Sequence, residues 1–199
     1  MPLSLSGTTG IVSSNIAAGG VQAINIGSSQ VTPVKLSQPM TLGTVQNATG
    51  SNTFFDFTGI PSWAKRITVM FKGVSTDGAS TPWLIQLGDS GGVETTGYLA
   101  VTSRLTVSAV GTVASTAGFP IGVDNTAANI CHGSATITLF DLSTNTWVAS
   151  GVFANSHYTE TNTVAGSKSL SATLDRVRIT TSGGTNDFDA GSVNIMYEG

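Results

Sequence analysis

Between positions 60 and 75 the chain reads IPSWAKRITVMFKGVS, and its apolar residues recur at every second position. Ile67, Val69 and Phe71 fall on one side, and Thr68, Met70 and Lys72 on the other. Only extended backbone gathers positions i, i+2 and i+4 onto one surface, so this stretch is a strand with one face on a core and the other near water or a partner. Gly59, Pro61 and Ser62 turn the chain into it. Similar short runs occur at 54–57, 83–87, 99–107, 135–140, 147–154, 170–174, 177–180 and 193–197. The run with Leu99, Val101, Leu105 and Val107 against Ala100, Thr102, Arg104 and Thr106 alternates most cleanly. Turn residues at 76–78, 89–92, 143–145 and 182–186 separate the runs, and 90–95 and 155–168 read as longer loops. No amphipathic pattern persists for a ten-residue helix. Short strands with Gly, Asn, Asp and Ser turns predict an all-β fold, an antiparallel, jelly-roll-like β-sandwich, over 51–199.

Residues 1–50 are of another kind. Lys35 is their only charged side chain, and glycine recurs at 7, 10, 19, 20, 27, 43 and 50. Such a segment buries too little by itself to offset its ordering entropy. It reads as an extended arm that becomes ordered on a carrier or on sister subunits, with Ile24, Ile26, Val31, Pro33, Val34 and Leu36 as its contacts. Its first ~35 residues, fully extended, reach about 115 Å. The whole chain is unusually poor in charge: 10% of its 199 residues, with a net charge of −3. With 40% hydrophobic residues it is not a disordered composition. So few charges point to surface covered by other chains, or to a surface of hydroxyls and amides.

Three blocks carry a resemblance: GIPSWAKRITVMFKGVST at 59–76, WLIQLGDSGGVETTGY at 83–98 and FDAGSVNIMYEG at 188–199. They resemble the β-rich domains of tailed-phage fibre and head-fibre proteins. The segment INIGSSQVTPVKLSQPM at 24–40 resembles the neck segments of such fibres through Ser29, Gln30, Val31, Thr32, Pro33, Lys35 and Leu36. The resemblance implies a virion structural protein, a homotrimer, and docking on capsid or tail proteins. Long shaft repeats are missing, which implies a short fibre or decoration protein with one head.

Motifs that carry chemistry are weak here. Gly88-Asp89-Ser90-Gly91-Gly92 spells the nucleophile turn of chymotrypsin-like proteases, but both histidines, His132 and His157, follow it, whereas that family places His and Asp before it. A hairpin turn is the expected reading, and a hydrolase using Ser90 the remote one. Cys131 and His132 are neighbours on a strand, so their side chains point apart, and the single cysteine leaves no disulfide framework. Asn186, Asp187 and Asp189 offer oxygen ligands spaced as in some calcium loops, but the twelve-residue EF-hand pattern is absent, and a solvated turn before the last strand is the expected reading. Asp175, Arg176 and Arg178 read as a charged strand edge. The sequon at Asn47 reads as chance. Trp63, Trp83 and Trp147, at strand starts, read as core plugs rather than sugar-stacking platforms.

No cofactor motif, nucleotide-binding loop or basic patch is present, so neither a cofactor nor a nucleic-acid partner is expected. No run suits a signal peptide or a membrane span, which leads to the expectation of a product made in the cytoplasm and assembled into the virion. The functional expectation is a virion appendage that is not an enzyme. It docks by its arm, with host attachment as a possible task. A host-glycan-binding module using loops 89–97 and 155–168 is the alternative.

Overall fold

The computed structural model describes residues 38–78, 82–123 and 125–199. The arm contacts expected at Ile24, Ile26, Val31, Pro33, Val34 and Leu36 therefore lie outside the described residues. In chain order the strands are β1 (Thr41–Leu42), β2 (Gln46–Asn47), β3 (Phe54–Thr58), β4 (Arg66–Thr76) and β5 (Trp83–Asp89). Then follow β6 (Gly92–Val93), β7 (Tyr98–Leu105), β8 (Val110–Ser115), β9 (Phe119–Ile121) and β10 (Cys131–Asp141). The last four are β11 (Thr146–Asn155), β12 (Glu160–Ser169), β13 (Arg176–Thr181) and β14 (Phe188–Glu198).

They build two antiparallel sheets. A nine-stranded sheet runs β1-β14-β4-β10-β11-β12-β7-β8, with β2 also on β14. A five-stranded sheet runs β3-β13-β5-β6, with β9 also on β5. Among the described residues there is no helix. The apolar sides of the two sheets form one core. Ile67, Val69, Phe71, Ile137, Trp147, Phe153 and Ile195 come from the large sheet, and Phe55, Phe57, Trp83, Ile85, Leu87, Val177 and Ile179 from the small one. Phe71 stacks on Trp83 across the interlayer space at 6.5 Å, and Phe188 meets Phe55 at 4.7 Å. The alternation at 67, 69 and 71 thus faces the core as expected.

Register gives the large sheet two distinct ends. Thr41 pairs with Tyr197, which pairs with Ile67; Lys168 pairs with Tyr98, and Ala100 with Ser115. That is the end where residue 41 joins the sheet. At the far end Cys131 pairs with Val74 and Asn155, Asn155 with Glu160, and Leu105 with Thr161 and Val110. Near the far end the ladder is bulged in three adjacent strands, β14, β4 and β10, each with a glycine at positive φ: Gly191, Gly73 and Gly133. A Cβ on Gly133 would sit 2.3 Å from the Val152 carbonyl oxygen. These bulges bend the sheet and leave Val74, Ser75 and Thr76 all buried.

Several expectations are corrected. The run 155–168 is a tight turn followed by β12, because the inward positions Glu160, Asn162 and Lys168 are polar and disguise the period of two. The run 170–174 is irregular chain, although Leu170 and Leu174 are buried. The segment 90–95 contains the short β6. Asp175, Arg176 and Arg178 do not mark a sheet edge, since β13 pairs with both β3 and β5; Arg176 and Arg178 lie on the outer face, as their alternation with Val177 and Ile179 requires. The stretch 41–47, compositionally part of the arm, pairs with β14 through β1 and β2.

Candidate functional site

The residues singled out by motif scatter over the molecule. Ser90 is exposed in the β5–β6 turn. Its neighbour Asp89 is buried and spends its carboxylate on Ser171 Oγ (2.6 Å) and the Gly91 N–H (2.7 Å). The Ser171 hydroxyl first, then the Gly91 N–H, holds the Asp89 carboxyl below its usual range. His132, on β10, accepts the Gly73 N–H at 3.2 Å, and His157 sits edge-on to Tyr158 in the β11–β12 turn. Both positions are at the far end of the large sheet, whereas Asp89 closes the other end with Glu94, Lys168 and Ser171. Cys131 is buried under that far end and His132 is exposed, as their adjacency on a strand requires. Trp83 and Trp147 are core residues, and Trp63 packs on Tyr197 at 5.7 Å, half-buried. The Asp187 N–H donates to Asp77 Oδ1 at 2.9 Å, while Asp189 accepts from Ser75 Oγ. Among the described residues no group of three or more His, Cys, Asp or Glu side chains converges on a metal position.

Two other features stand out. The first is the outer face of β10, β11, β12 and β7. Its outward side chains are His132, Ser134, Thr136, Thr138 and Phe140; Val148, Ser150, Val152 and Ala154; Thr161, Thr163, Ala165 and Ser167; Leu99, Val101, Ser103 and Leu105. None of these is an acid, a lysine or an arginine. Leu99 is 75% exposed, Val152 58% and Val101 48%. The cleanest alternation in the chain therefore points its larger apolar residues outward and buries Ala100 and Thr102. Those small residues leave room inside for Phe119 of β9, which meets the Tyr98 ring at 5.2 Å. Charge returns on β4, with Arg66 and Lys72, and on β14, where Glu198 pairs with Arg66.

The second feature is a polar cleft at the far end. There the inward residues of the large sheet change from apolar to polar, with Asn155, Glu160 and Asn162 all buried. Glu160 is only 8% exposed, and its Oε1 accepts from Asn155 Nδ2 (3.3 Å) and Asn162 Nδ2 (3.4 Å). Arg104 Nε stands 3.9 Å from Glu160 Oε2. Ile121 and residues 125–130 adjoin this cluster. Asn129 Nδ2 donates to Asn125 Oδ1 (2.8 Å), Asn125 Nδ2 to the Ile121 carbonyl (2.7 Å), and the Ile130 N–H to Asn155 Oδ1 (3.2 Å). Thr126 Oγ1 lies 3.2 Å from the hydroxyl of Tyr158, which stands exposed in the β11–β12 turn. Two depressions of about 490 and 400 Å³ share Glu160 and Thr106 in their walls; Leu105, Asn155 and Thr159 line one, and Arg104, Thr126 and Tyr158 the other. Thr159 holds φ at 52°, a region that a β-branched residue enters only when its surroundings force it.

Sequence reasoning passed over Glu160, Asn162 and Arg104. The available signal was the even spacing of Glu160, Asn162 and Val164, which puts them on one face of a strand; the polarity of the first two hid it. Comparison of the chain with protein-family models, with curated proteins and with solved structures finds no match.

Proposed function

We propose that the chain is a structural protein of a tailed-phage virion, a short fibre or decoration protein. Residues 1–50 dock it on capsid or tail, and its β-sandwich is displayed as a homotrimeric head for host attachment. The observation that carries this reading is the outer face of β10, β11, β12 and β7. Four strands at ordinary spacing and rise span roughly 19 by 25 Å, on the order of 500 Å², before β8 and the exposed Leu142 at its margins are added. A standard protein interface covers about 800 Å² per partner. Exposed apolar side chains on a broad surface without formal charge are what a face against other copies requires, and they are poorly suited to permanent contact with water. The resemblance at 59–76, 83–98 and 188–199 supplies the virion context, and the low charge of residues 1–50 supplies the docking role.

The experiment has two parts. Light scattering on the purified full chain is expected to give three times the 20.2 kDa chain mass. A truncation lacking residues 1–39 is expected to keep the sandwich but to be missing from purified particles. A monomeric full-length protein, or normal incorporation of the truncation, overturns the reading.

A further inference from the structure

A strand at the edge of a sheet presents backbone groups without a sheet neighbour, and such an edge takes up a foreign strand unless something blunts it. Most edges of this sandwich are blunted. β1, β2 and β6 have two residues each. β9 has three residues, one of them Pro120. On β3 the Gln46 side chain donates to the Asp56 carbonyl at 2.6 Å, and Asp56 itself brings charge. β8 differs. Among the described residues this six-residue strand pairs with β7 alone, and it holds neither charge nor proline. Its outward Val110, Thr112 and Ala114 continue the uncharged face of Leu105, Ser103 and Val101, and its inward Gly111, Val113 and Ser115 are only half-buried. We infer that β8 takes up residues 21–26 of a neighbouring copy as an added strand of the large sheet. This rests on the reading that copies meet along the outer face, which runs on into β8.

The occupant follows from composition and reach. Strand addition works through main-chain hydrogen bonds, so the added segment must keep its N–H groups, and proline is excluded. Residues 1–37 contain two runs of six or more without glycine, proline or charge, 11–18 and 21–26. The first interrupts its apolar residues with Ser13, Ser14 and Asn15. The second, Val21-Gln22-Ala23-Ile24-Asn25-Ile26, equals β8 in length and is half β-branched, as strands favour. Both of its faces are neutral. The face with Ile24 and Ile26 suits the half-buried inward side of β8, and the face with Val21 and Ala23 extends the outer surface. From β1 to β8 the large sheet is seven strand spacings wide, about 34 Å. The fifteen residues from Thr41 back to Ile26 extend about 50 Å. A chain therefore reaches its own β8 only by crossing the outer face that the copies cover, whereas a neighbour seated on that face brings the same segment to the edge from outside.

The test uses the full chain in two differently tagged, co-expressed copies. Cysteine replaces Thr112 in one copy and each of residues 21–26 in turn in the other; a parallel sample carries both cysteines on one chain. Cys131 stays, since it is buried. Side chains of adjacent strands form a disulfide only when they share a face. Mild oxidation is therefore expected to link the two tags at one position, or at two positions two apart, and never at sequence neighbours. Hydrogen exchange on the full chain supplies a second readout. Ile24→Pro removes a donor from the added strand, outside the described sandwich, and is expected to speed exchange of 110–115 by about tenfold or more while β10–β12 stay unchanged. No link between the tags, a link only when both cysteines share a chain, links at sequence neighbours, or unchanged exchange of 110–115 in Ile24→Pro overturns the inference. A protein of three chain masses without the link loses this inference alone, whereas a monomer in light scattering removes the reading beneath it.

Discussion

At the residue scale, the polar groups inside the sandwich are where most of the testable energy lies. Lys168 is buried with its Nζ 2.5 Å from Glu94 Oε2 and 5.4 Å from the centre of the Tyr98 ring. Burial alone would raise the Glu94 carboxyl, but the bonds from Lys168 and Ser171 outweigh it and hold the group below its usual range. Lys168→Met leaves the Glu94 carboxylate without its cation and is expected to cost about 3 kcal/mol in urea unfolding; adding Glu94→Gln is expected to recover most of that. Cys131 is the opposite case. Burial first, and the nearby Glu160 charge second, push its thiol up to about 12. The native protein is therefore expected to resist a thiol-reactive disulfide reagent at pH 8 and to react fully in urea. The folded state keeps this proton when the unfolded chain loses it, so the thiol's contribution is full below the unfolded value near 8.5 and falls away as pH rises from there towards 12. Tyr98, raised by burial, adds to the loss above pH 10. A stability profile that stays flat between pH 9 and 11 would contradict this account. Thr159→Asn relieves the φ of 52° with a residue that tolerates it, and is expected to raise stability by about 0.5–1 kcal/mol.

At the element scale, the bulges across β14, β4 and β10 set how the far end of the large sheet turns. Gly133 has φ 138° and its missing Cβ would overlap the Val152 carbonyl of β11 at 2.3 Å, so alanine there both strains the backbone and pushes two strands apart. Gly133→Ala is expected to cost more than about 3 kcal/mol. Gly184 has φ 66° with nothing within 4 Å of its absent Cβ, so Gly184→Ala is expected to cost only about 1 kcal/mol. Equal losses in calorimetry would show that the bulge row is not a packing constraint. The same scale explains β8. Among the described residues it pairs on one side only, with β7, and Val110–Ser115 carries neither charge nor proline. The other edge of this sheet is broken into two strands of two residues each, β1 and β2.

At the scale of the whole molecule, the outer face of β10, β11, β12 and β7 is the surface we propose for contact between copies. Asp at Val101 or Val152 puts a charge in the middle of it without touching the core. Val101→Asp with Val152→Asp is expected to keep the β-sheet circular dichroism and lower the light-scattering mass to that of one chain. An unchanged mass would place the copy-to-copy surface elsewhere.

The residues alone established the fold class. Period-two runs at 66–74 and 83–87, with glycine and asparagine turns between them, leave few alternatives to a strand-built sandwich, because only pleated backbone makes one face of Ile67, Val69 and Phe71. They also showed that Ser90 lacks an upstream histidine. Alternation states that a strand has two unlike faces; it does not state which is inside. At 99–105 the larger apolar residues turn outward because β9 fills the space above Ala100 and Thr102, a fact set by chain far from β7. At 160–168 the inward polar residues are Glu, Asn and Lys; Arg104 stands beside Glu160 and Glu94 beside Lys168, both from chain far away in sequence. Such pairings across long sequence separations exist only once distant strands have met. For that reason the far-end cleft belonged to the tertiary structure, while the strands that frame it were largely legible beforehand.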